Sequence, residues 1–374
     1  MIENTTGTVR FGVILAGGAG ERFWPLSRKD RPKQLLCLTD PDHSMLAEAV
    51  ERVSGVIPRE RILVITGAHL VAPIRAAGVG LAPENIVAEP AKRNTAGALV
   101  YVTAHILARY PELPPERISI ATVTADHRIG DTPLFQRTLD AALTAAETQG
   151  ALAICGIVPA HPETGFGYIQ ASLAAPVCTA GGMDIFAVQA FHEKPDRARA
   201  EAFIAQGDCF WNSGMFFWRV DTFLSELSTT RPAMAAAVHT MVDALRHGDS
   251  TRATAVFEGL EDISIDYALL EQAGRVLMVR GTFPWGDVGL WPALAEFHPH
   301  DAAGNTVLGD AVLVGAKNCV VYNNAPGKLA VGIVGVEDLV VVVTDDAVLV
   351  VPKDRSGDVR EVVAELKRRN APQT

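Results

Sequence analysis

The sequence predicts an α/β protein with a doubly wound, mostly parallel sheet and a small C-terminal β-rich domain. Three observations lead there. Between residues 9 and 158, short apolar runs alternate with segments of helical periodicity, the pattern of strands buried on both faces. From about 160 to 290, strand-like and helix-like segments mix without strict alternation. After about 300, Val-rich runs are split by Gly, Asn and Asp. A chain of 374 residues is long enough for more than one core, and the division is expected at 1–297 and 298–374.

The elements follow in order. VRFGVIL (9–15) is β-prone throughout. In residues 44–55, Leu46, Ala49, Val50 and Val53 keep helical spacing, with Ser44 as N-cap and Gly55 as stop. RILVIT (61–66) is a second strand, 69–77 a short helix and NIVAEP (85–90) a third strand. Residues 95–110 form a helix that ends before Pro111. ISIATVT (118–124) is a fourth strand, 133–150 a helix, and ALAICGIV (151–158) a fifth strand. GFGYIQAS, IFAVQAFHEKP and FWNSGMFFWRV read as strands, and 196–207 and most of 221–247 as helices. TVLGDAVLVGAKNCVVYNN, KLAVGIVG, DLVVVVTDD and AVLVVPKD are short strands of a sheet or a stubby β-helix. Val359, Val362, Val363 and Leu366 then stand at i, i+3, i+4 and i+7 of a closing helix, whose last residues Lys367 to Arg369 suit its dipole.

Composition excludes some functions. A net charge of −10 argues against a general nucleic-acid or anionic-membrane binder. No apolar run is long enough to span a bilayer, and MIENTTGTVRF lacks the basic start of a secretory signal. Cys37, Cys155, Cys178, Cys209 and Cys319 show no zinc spacing and read as reduced thiols, so a cytoplasmic protein is expected.

Against that acidic background, LAGGAGERFWPLSRKDRPK (15–33) concentrates Arg22, Arg28, Lys29, Arg31 and Lys33 behind a glycine loop. Glycines after a strand let backbone N–H groups approach a ligand, and a following helix N-terminus favours an anion. GAGERF begins like a dinucleotide loop but has Phe23 at the third glycine position, and no GxxxxGK[ST] occurs. A tight turn with a solvated basic surface is the plain alternative. The cluster of charge, stiffened by Pro25 and Pro32, fits a triphosphate better than a hydride carrier. Arg28, Lys29 and Arg31 read as a solvated rim.

LAGGAGERFWPLSRKDRPK resembles the signature of sugar-1-phosphate nucleotidyltransferases, and AEPAKRNTA, TADH, PETGFGYI, FHEKPD, WNSGMF, SIDYALLE and WGDVGLW follow in that family's order. AEP…NTA, WNSGMF and SIDYA point to its guanylyl branch. The resemblance covers about residues 10 to 297. It implies a Rossmann-like catalytic domain over 1–297, a β-helix-like domain over 298–374, and transfer of GMP from GTP to mannose 1-phosphate. The sugar phosphate is already a dianion at neutral pH, so no general base is needed; the site must position two anions and neutralise pyrophosphate.

The resemblance also implies residue roles. Leu15, Ala16, Gly17, Gly18 and Gly20 would meet the nucleotide, with Glu89, Asn94 and Thr95 in the guanine pocket. Arg22 would stabilise the leaving pyrophosphate and Lys33 the triphosphate. Asp126, at the end of a parallel strand, and Asp287 would hold Mg²⁺. Lys194 would grip the sugar phosphate, Glu193 and Asn212 the hexose with Gly167 near it, and Asp266 would orient Lys194 or the sugar. Asn94 or Thr95 as a helix cap, and Asp266 as an acid at a helix start, are the structural alternatives. Trp211, Trp285 and Trp291 read as core. Thr124 before ADH, and Gly286 and Leu290 around Asp287, depart from the family pattern. The short tail leads us to expect no fused isomerase activity. The Val-rich edges invite pairing, so a homodimer is expected. The same chemistry on a heptose or glucose 1-phosphate, and a non-catalytic nucleotide-sugar sensor, are the competing readings.

Overall fold

A computed structural model describes residues 6–18, 20–325, 327 and 329–374. The N-terminal MIENT, Ala19 of the glycine loop and Lys328 at the start of KLAVGIVG lie outside the described residues. The chain forms two compact units. One comprises Met1–Ala16, Ala49–Thr124 and Ile129–Pro284; the other comprises Gly17–Glu48, Ala125–Arg128 and Trp285–Thr374. The glycine loop falls in the second unit because it shares a core with the C-terminal strands.

The first unit is built on one ten-stranded sheet. In chain order the strands up to Gly281 are β1 (Val9–Leu15), β2 (Ile62–Gly67), β3 (Ile86–Glu89), β4 (Ile118–Thr124), β5 (His127–Ile129), β6 (Leu152–Ile157), β7 (Tyr168–Ser172), β8 (Cys178–Ala180), β9 (Met183–His192), β10 (Cys209–Arg219) and β11 (Val276–Gly281). All but β5 belong to this sheet, in the order β3-β2-β1-β4-β10-β6-β11-β9-β7, with β8 beside β9. The parallel pairs β3–β2, β2–β1, β1–β4 and β6–β11 bear out the expected parallel core. β10 interrupts this core, lying antiparallel between β4 and β6, and β9 adds antiparallel pairs with β11, β7 and β8 at the far side of the sheet. Phe216 and Trp218 of β10 are buried in the main core with Ile120 of β4 and Ile154 of β6. A bulge between Asn212 and Phe216 lets the strand change register.

Helices cover this sheet. Asn94–Arg109 carries Leu99, Val102 and Ile106 into the main core. Thr132–Gln149 is capped by Asp131, which accepts from Leu134 N, and ends at Gly150 in the left-handed region. A buried ionic cluster fastens it to β1: Arg10 donates to Glu147 at 2.8 and 2.7 Å and also reaches Asp140. The expected cap on the helix Met45–Ser54 is present, Ala47 N donating to Ser44 Oγ at 3.2 Å. A further helix, Ser250–Glu258, starts on Asp249 and was not anticipated.

The second unit contains β12 (Trp285–Asp287), β13 (Thr306–Leu308), β14 (Ala311–Val314), β15 (Val320–Asn323), β16 (Val331–Val334), β17 (Leu339–Val343) and β18 (Val348–Pro352). β13, β15 and β17 stack in parallel on one sheet, closed by antiparallel β18, while β14 and β16 pair in parallel on another. Strands that alternate between two stacked sheets make a short β-helix. Val321, Val341, Val343 and Ile333 fill its interior. The opposite face of the larger sheet, through Val320, Val340 and Val342, packs on Phe23, Trp24, Leu26, Leu36 and Leu38 of the glycine-loop segment. Full burial of each such side chain is worth roughly 1.5–3 kcal/mol, which holds residues 17–48 to the β-helix. The helix Val359–Arg368 completes this core through Val359 and Val363. Among the described residues, no helix is long and apolar enough to cross a membrane.

Candidate active site

The residues assigned to the nucleotide phosphates and the metal gather in the second unit. Gly17 and Gly18 are exposed. Gly20 has φ +61°, and a Cβ there would stand 2.5 Å from Lys33 Cβ and 2.7 Å from Lys33 N. Gly20 is therefore what lets Lys33 close against the loop. Lys33 opens a short turn after Pro32 and is only 5% exposed. Its Nζ donates to Asp126 Oδ2 at 3.0 Å and Asp287 Oδ1 at 3.4 Å. These carboxylates meet because β5 pairs with β12, reinforced by the Trp285 indole N–H donating to His127 Nδ1 at 3.3 Å. Burial pushes the Asp126 carboxyl up, but the Lys33 ammonium and His127 together hold it below the usual carboxylate range. Both carboxylates stay about one-third open, at 37% and 34%, so a ligand can reach them.

Arg22 is exposed, in the turn Glu21–Phe23, and makes no ion pair among the described residues. Arg28 differs from the expected solvated rim. It pairs with Asp346 at 2.7 Å and donates to the carbonyl of Pro25, so it pins the loop to the β-helix. Lys29 and Arg31 are exposed as expected. Trp291 is fully buried against Phe23, whereas Trp285 is half-buried rather than core.

The residues assigned to the hexose meet in the first unit. Asn212 N donates to the carbonyl of Gly167 at 2.8 Å, joining β10 to the loop before β7. Its side chain donates from Nδ2 to Asp266 Oδ1 at 2.7 Å and accepts from Gly214 N at 3.0 Å. A Cβ on Gly167 would lie 2.9 Å from Glu193 Oε2 and 3.6 Å from Asn212 Cβ. Lys194 follows with φ +42° and its Nζ 3.0 Å from Glu193 Oε1. Burial pushes the Asp266 carboxyl up, and Glu193 adds to this against the opposing Asn212 hydrogen bond and Lys194 charge. Asp266 opens a π-helical turn, Asp266–Leu270, rather than an ordinary helix.

The residues assigned to the nucleotide base sit at strand ends of the same unit. Leu15 ends β1 and Glu89 ends β3, with β2 between them; carboxyl ends of parallel strands are where open α/β sheets bind ligands. Ala16 O accepts from Thr66 Oγ1 at 2.9 Å. Burial pushes the Glu89 carboxyl up to about 7. Asn94, at φ +55°, accepts from Thr95 N at 2.9 Å. The Thr95 hydroxyl does not cap its helix. It accepts from Ile265 N at 2.8 Å and so ties that helix start to the Asp266 turn.

Glu271 was not singled out, although it ends the SIDYALLE motif. Burial raises its carboxyl, helped by the charges of Asp266 and Glu193. Glu271 stands five residues past Asp266, beyond the i+3 and i+4 spacing of an ordinary helix, and the π-helical turn brings its N–H to the Asp266 carbonyl at 3.0 Å.

Comparison with known proteins shows the family. The nucleotidyl transferase family matches residues 11–304, and a MannoseP isomerase/GMP-like beta-helix domain matches 309–366. The chain is 40% identical over 360 residues to a mannose-1-phosphate guanylyltransferase of Klebsiella pneumoniae, covering 95% of this chain and 74% of that protein. It is 38% identical over 365 residues to the alginate biosynthesis protein AlgA of Pseudomonas aeruginosa, covering 97% and 73%. A crystal structure from Thermus thermophilus, described as mannose-1-phosphate geranyltransferase, superposes with TM-score 0.83 at 34% identity, covering 96% of this chain and all of that one. The chain is thus an enzyme of the nucleotidyl transferase family, in its mannose-1-phosphate guanylyltransferase branch.

Proposed function

We propose that this enzyme transfers GMP from GTP to mannose 1-phosphate, giving GDP-mannose and pyrophosphate. A phosphate oxygen of the sugar attacks the α-phosphorus of GTP. The bond from that phosphorus to the bridging oxygen breaks, and pyrophosphate leaves with the electron pair. The nucleophile is already ionised because its second pKa is about 6, so the protein's work is positioning and charge neutralisation. The observation that carries this reading is the convergence of Lys33, Asp126 and Asp287 behind an exposed glycine loop.

In this reading the amides of Gly17, Gly18 and Gly20 line the nucleotide phosphates. Arg22, exposed and without an ion pair among the described residues, takes the leaving pyrophosphate, and Lys33 the triphosphate. Glu89, Asn94 and Thr95, with Leu15 and Ala16, receive the guanosine. Lys194 holds the sugar phosphate. Glu193 and Asp266 accept from hexose hydroxyls, while Gly167 and Asn212 set their positions. As functional domains, 1–297 would carry catalysis and 298–374 would support the loop.

Asp126 and Asp287 suit a Mg²⁺ ion. They offer hard oxygen donors, they converge on one cationic atom and they are partly open. Among the described residues no third His, Cys, Asp or Glu joins them in a ligating cluster, and Mg²⁺ characteristically takes one or two carboxylates, with water and phosphate oxygens completing its shell. When bound, the ion would offset charge on the phosphates. A cytoplasmic setting is proposed from the free cysteines, and a homodimer from the exposed Val-rich strands. Because those strands share a core with the glycine loop, the dimer is better tested by light scattering of the whole chain than of a truncation near 298.

Pyrophosphate release measured with mannose, glucose and heptose 1-phosphates at fixed GTP tests the substrate. Mannose 1-phosphate should have the highest kcat/KM. A higher value for another sugar would replace it, and nucleotide-sugar binding without turnover would favour the sensor.

A further inference from the structure

Lysine side chains are rarely buried unless paired, and Lys33 is paired in an unusual way. Its stem is fixed by the turn after Pro32 and by contact with Gly20, and its ammonium lies 5.8 Å from the ring centre of Phe23. That ammonium ends on two carboxylates at once, Asp126 at 3.0 Å and Asp287 at 3.4 Å. Neither makes another ion pair among the described residues. The two aspartates would repel each other without a cation between them, and the cation present is the protein's own.

We infer that Lys33 is a resident counter-ion, which gives up Asp126 and Asp287 in exchange for a divalent cation and thereby frees its ammonium for the polyphosphate. The inference rests on reading these two aspartates as metal ligands. In the resting protein Lys33 keeps the two carboxylates together. Once released, the same side chain adds positive charge where the triphosphate must be neutralised. Lys33 thus competes with the metal in the free enzyme, although both serve the same reaction.

Competition and support predict opposite results. Binding of Mn²⁺, an ion visible by electron paramagnetic resonance, is measured on the nucleotide-free full chain. Lys33→Met should bind Mn²⁺ about tenfold more tightly than the wild type, since one nearby opposite charge shifts a carboxylate equilibrium by one to three powers of ten. Equal or weaker binding, in a variant with wild-type circular dichroism and melting, would overturn the exchange. Should that variant not fold, the wild type decides: reductive methylation of Lys33, read by peptide mass spectrometry, should accelerate several-fold with Mn²⁺. An unchanged or slower rate would overturn it. Asp126→Asn separates the two levels. If it leaves Mn²⁺ binding intact, the metal assignment fails; if it weakens binding while Lys33→Met does not tighten it, only the exchange fails.

Discussion

The side-chain amide of Asn212 donates to the carboxylate of Asp266 at 2.7 Å, across 54 residues of sequence. The bond joins the bulged strand β10 to the π-helical turn, and with Gly214 N it engages both ends of the Asn212 amide. In the proposed sugar site the Asp266 carboxylate would also accept from a hexose hydroxyl. Asp266→Ala should therefore raise KM for mannose 1-phosphate by about tenfold or more, a charged hydrogen bond being worth roughly 1.5–3 kcal/mol. KM for GTP should stay within a factor of about two. Asp266→Asn, which retains an acceptor for Asn212, should lose less. Steady-state kinetics with each substrate varied in turn provides the check; a matching rise in KM for GTP would take Asp266 out of the sugar site.

Glu89 supplies a pH prediction. Burial pushes its carboxyl up to about 7, so below that pH it is mostly neutral in the free protein. A carboxylate that accepts from guanine N–H groups must be ionised, and KM for GTP should rise as pH falls from 8 to 6. Glu89→Gln should abolish that dependence. The stability sign follows from the same shift. An acid whose folded pKa lies above its unfolded value of 4.5 binds more protons when folded, so stability is lost as pH rises from about 4.5 to about 7. Glu89→Gln should melt higher than the wild type at pH 8 and show no such advantage at pH 4.

Gly20→Ala should disable the site more than the fold. The new methyl group would meet Lys33 Cβ and N at 2.5 and 2.7 Å, on a backbone at φ +61°. Lys33 would be forced away from its carboxylates. We expect kcat/KM to fall by about two powers of ten, consistent with misplacement of about 1 Å in a positioned site, while thermal unfolding shifts by only a few degrees.

Arg10→Met should do the reverse. Removing the guanidinium strands Glu147, whose side chain is fully buried, and leaves Asp140 without its partner. Breaking one side of a buried ion pair costs about 3–5 kcal/mol, readable in urea unfolding, with KM values unchanged. Burial pushes the Glu147 carboxyl up, but its hydrogen bonds and the Arg10 charge hold it below the usual range. Its contribution is therefore present above pH 4.5 and is lost as pH falls through the lowered value. The wild type should lose stability in acid more steeply than the variant.

What was legible in the sequence was what depends on neighbours in sequence. β1 and β4 fall on the expected residues, because VRFGVIL and ISIATVT are apolar runs with clear ends. The helices bounded by Ser44 and Gly150 carry capping chemistry that reads directly. Ser250–Glu258 was missed although Asp249 caps it, because its apolar residues are too few for a clear stripe. The antiparallel insertion of β10 between β4 and β6 was not legible, since pairing partners of a strand buried on both faces leave no local pattern. The same holds for the site. The glycine loop announced an anion, yet Lys33 meets carboxylates 93 and 254 residues away, and only folding shows that the basic loop carries its own acidic partners.

The central claim is the reaction, and a phosphorus-31 NMR time course on the full chain with GTP, mannose 1-phosphate and Mg²⁺ tests it most directly. GTP and mannose 1-phosphate should disappear together, with GDP-mannose and pyrophosphate appearing in equal amounts and no orthophosphate. Release of orthophosphate, or no new resonance from folded protein that binds GTP, would contradict it.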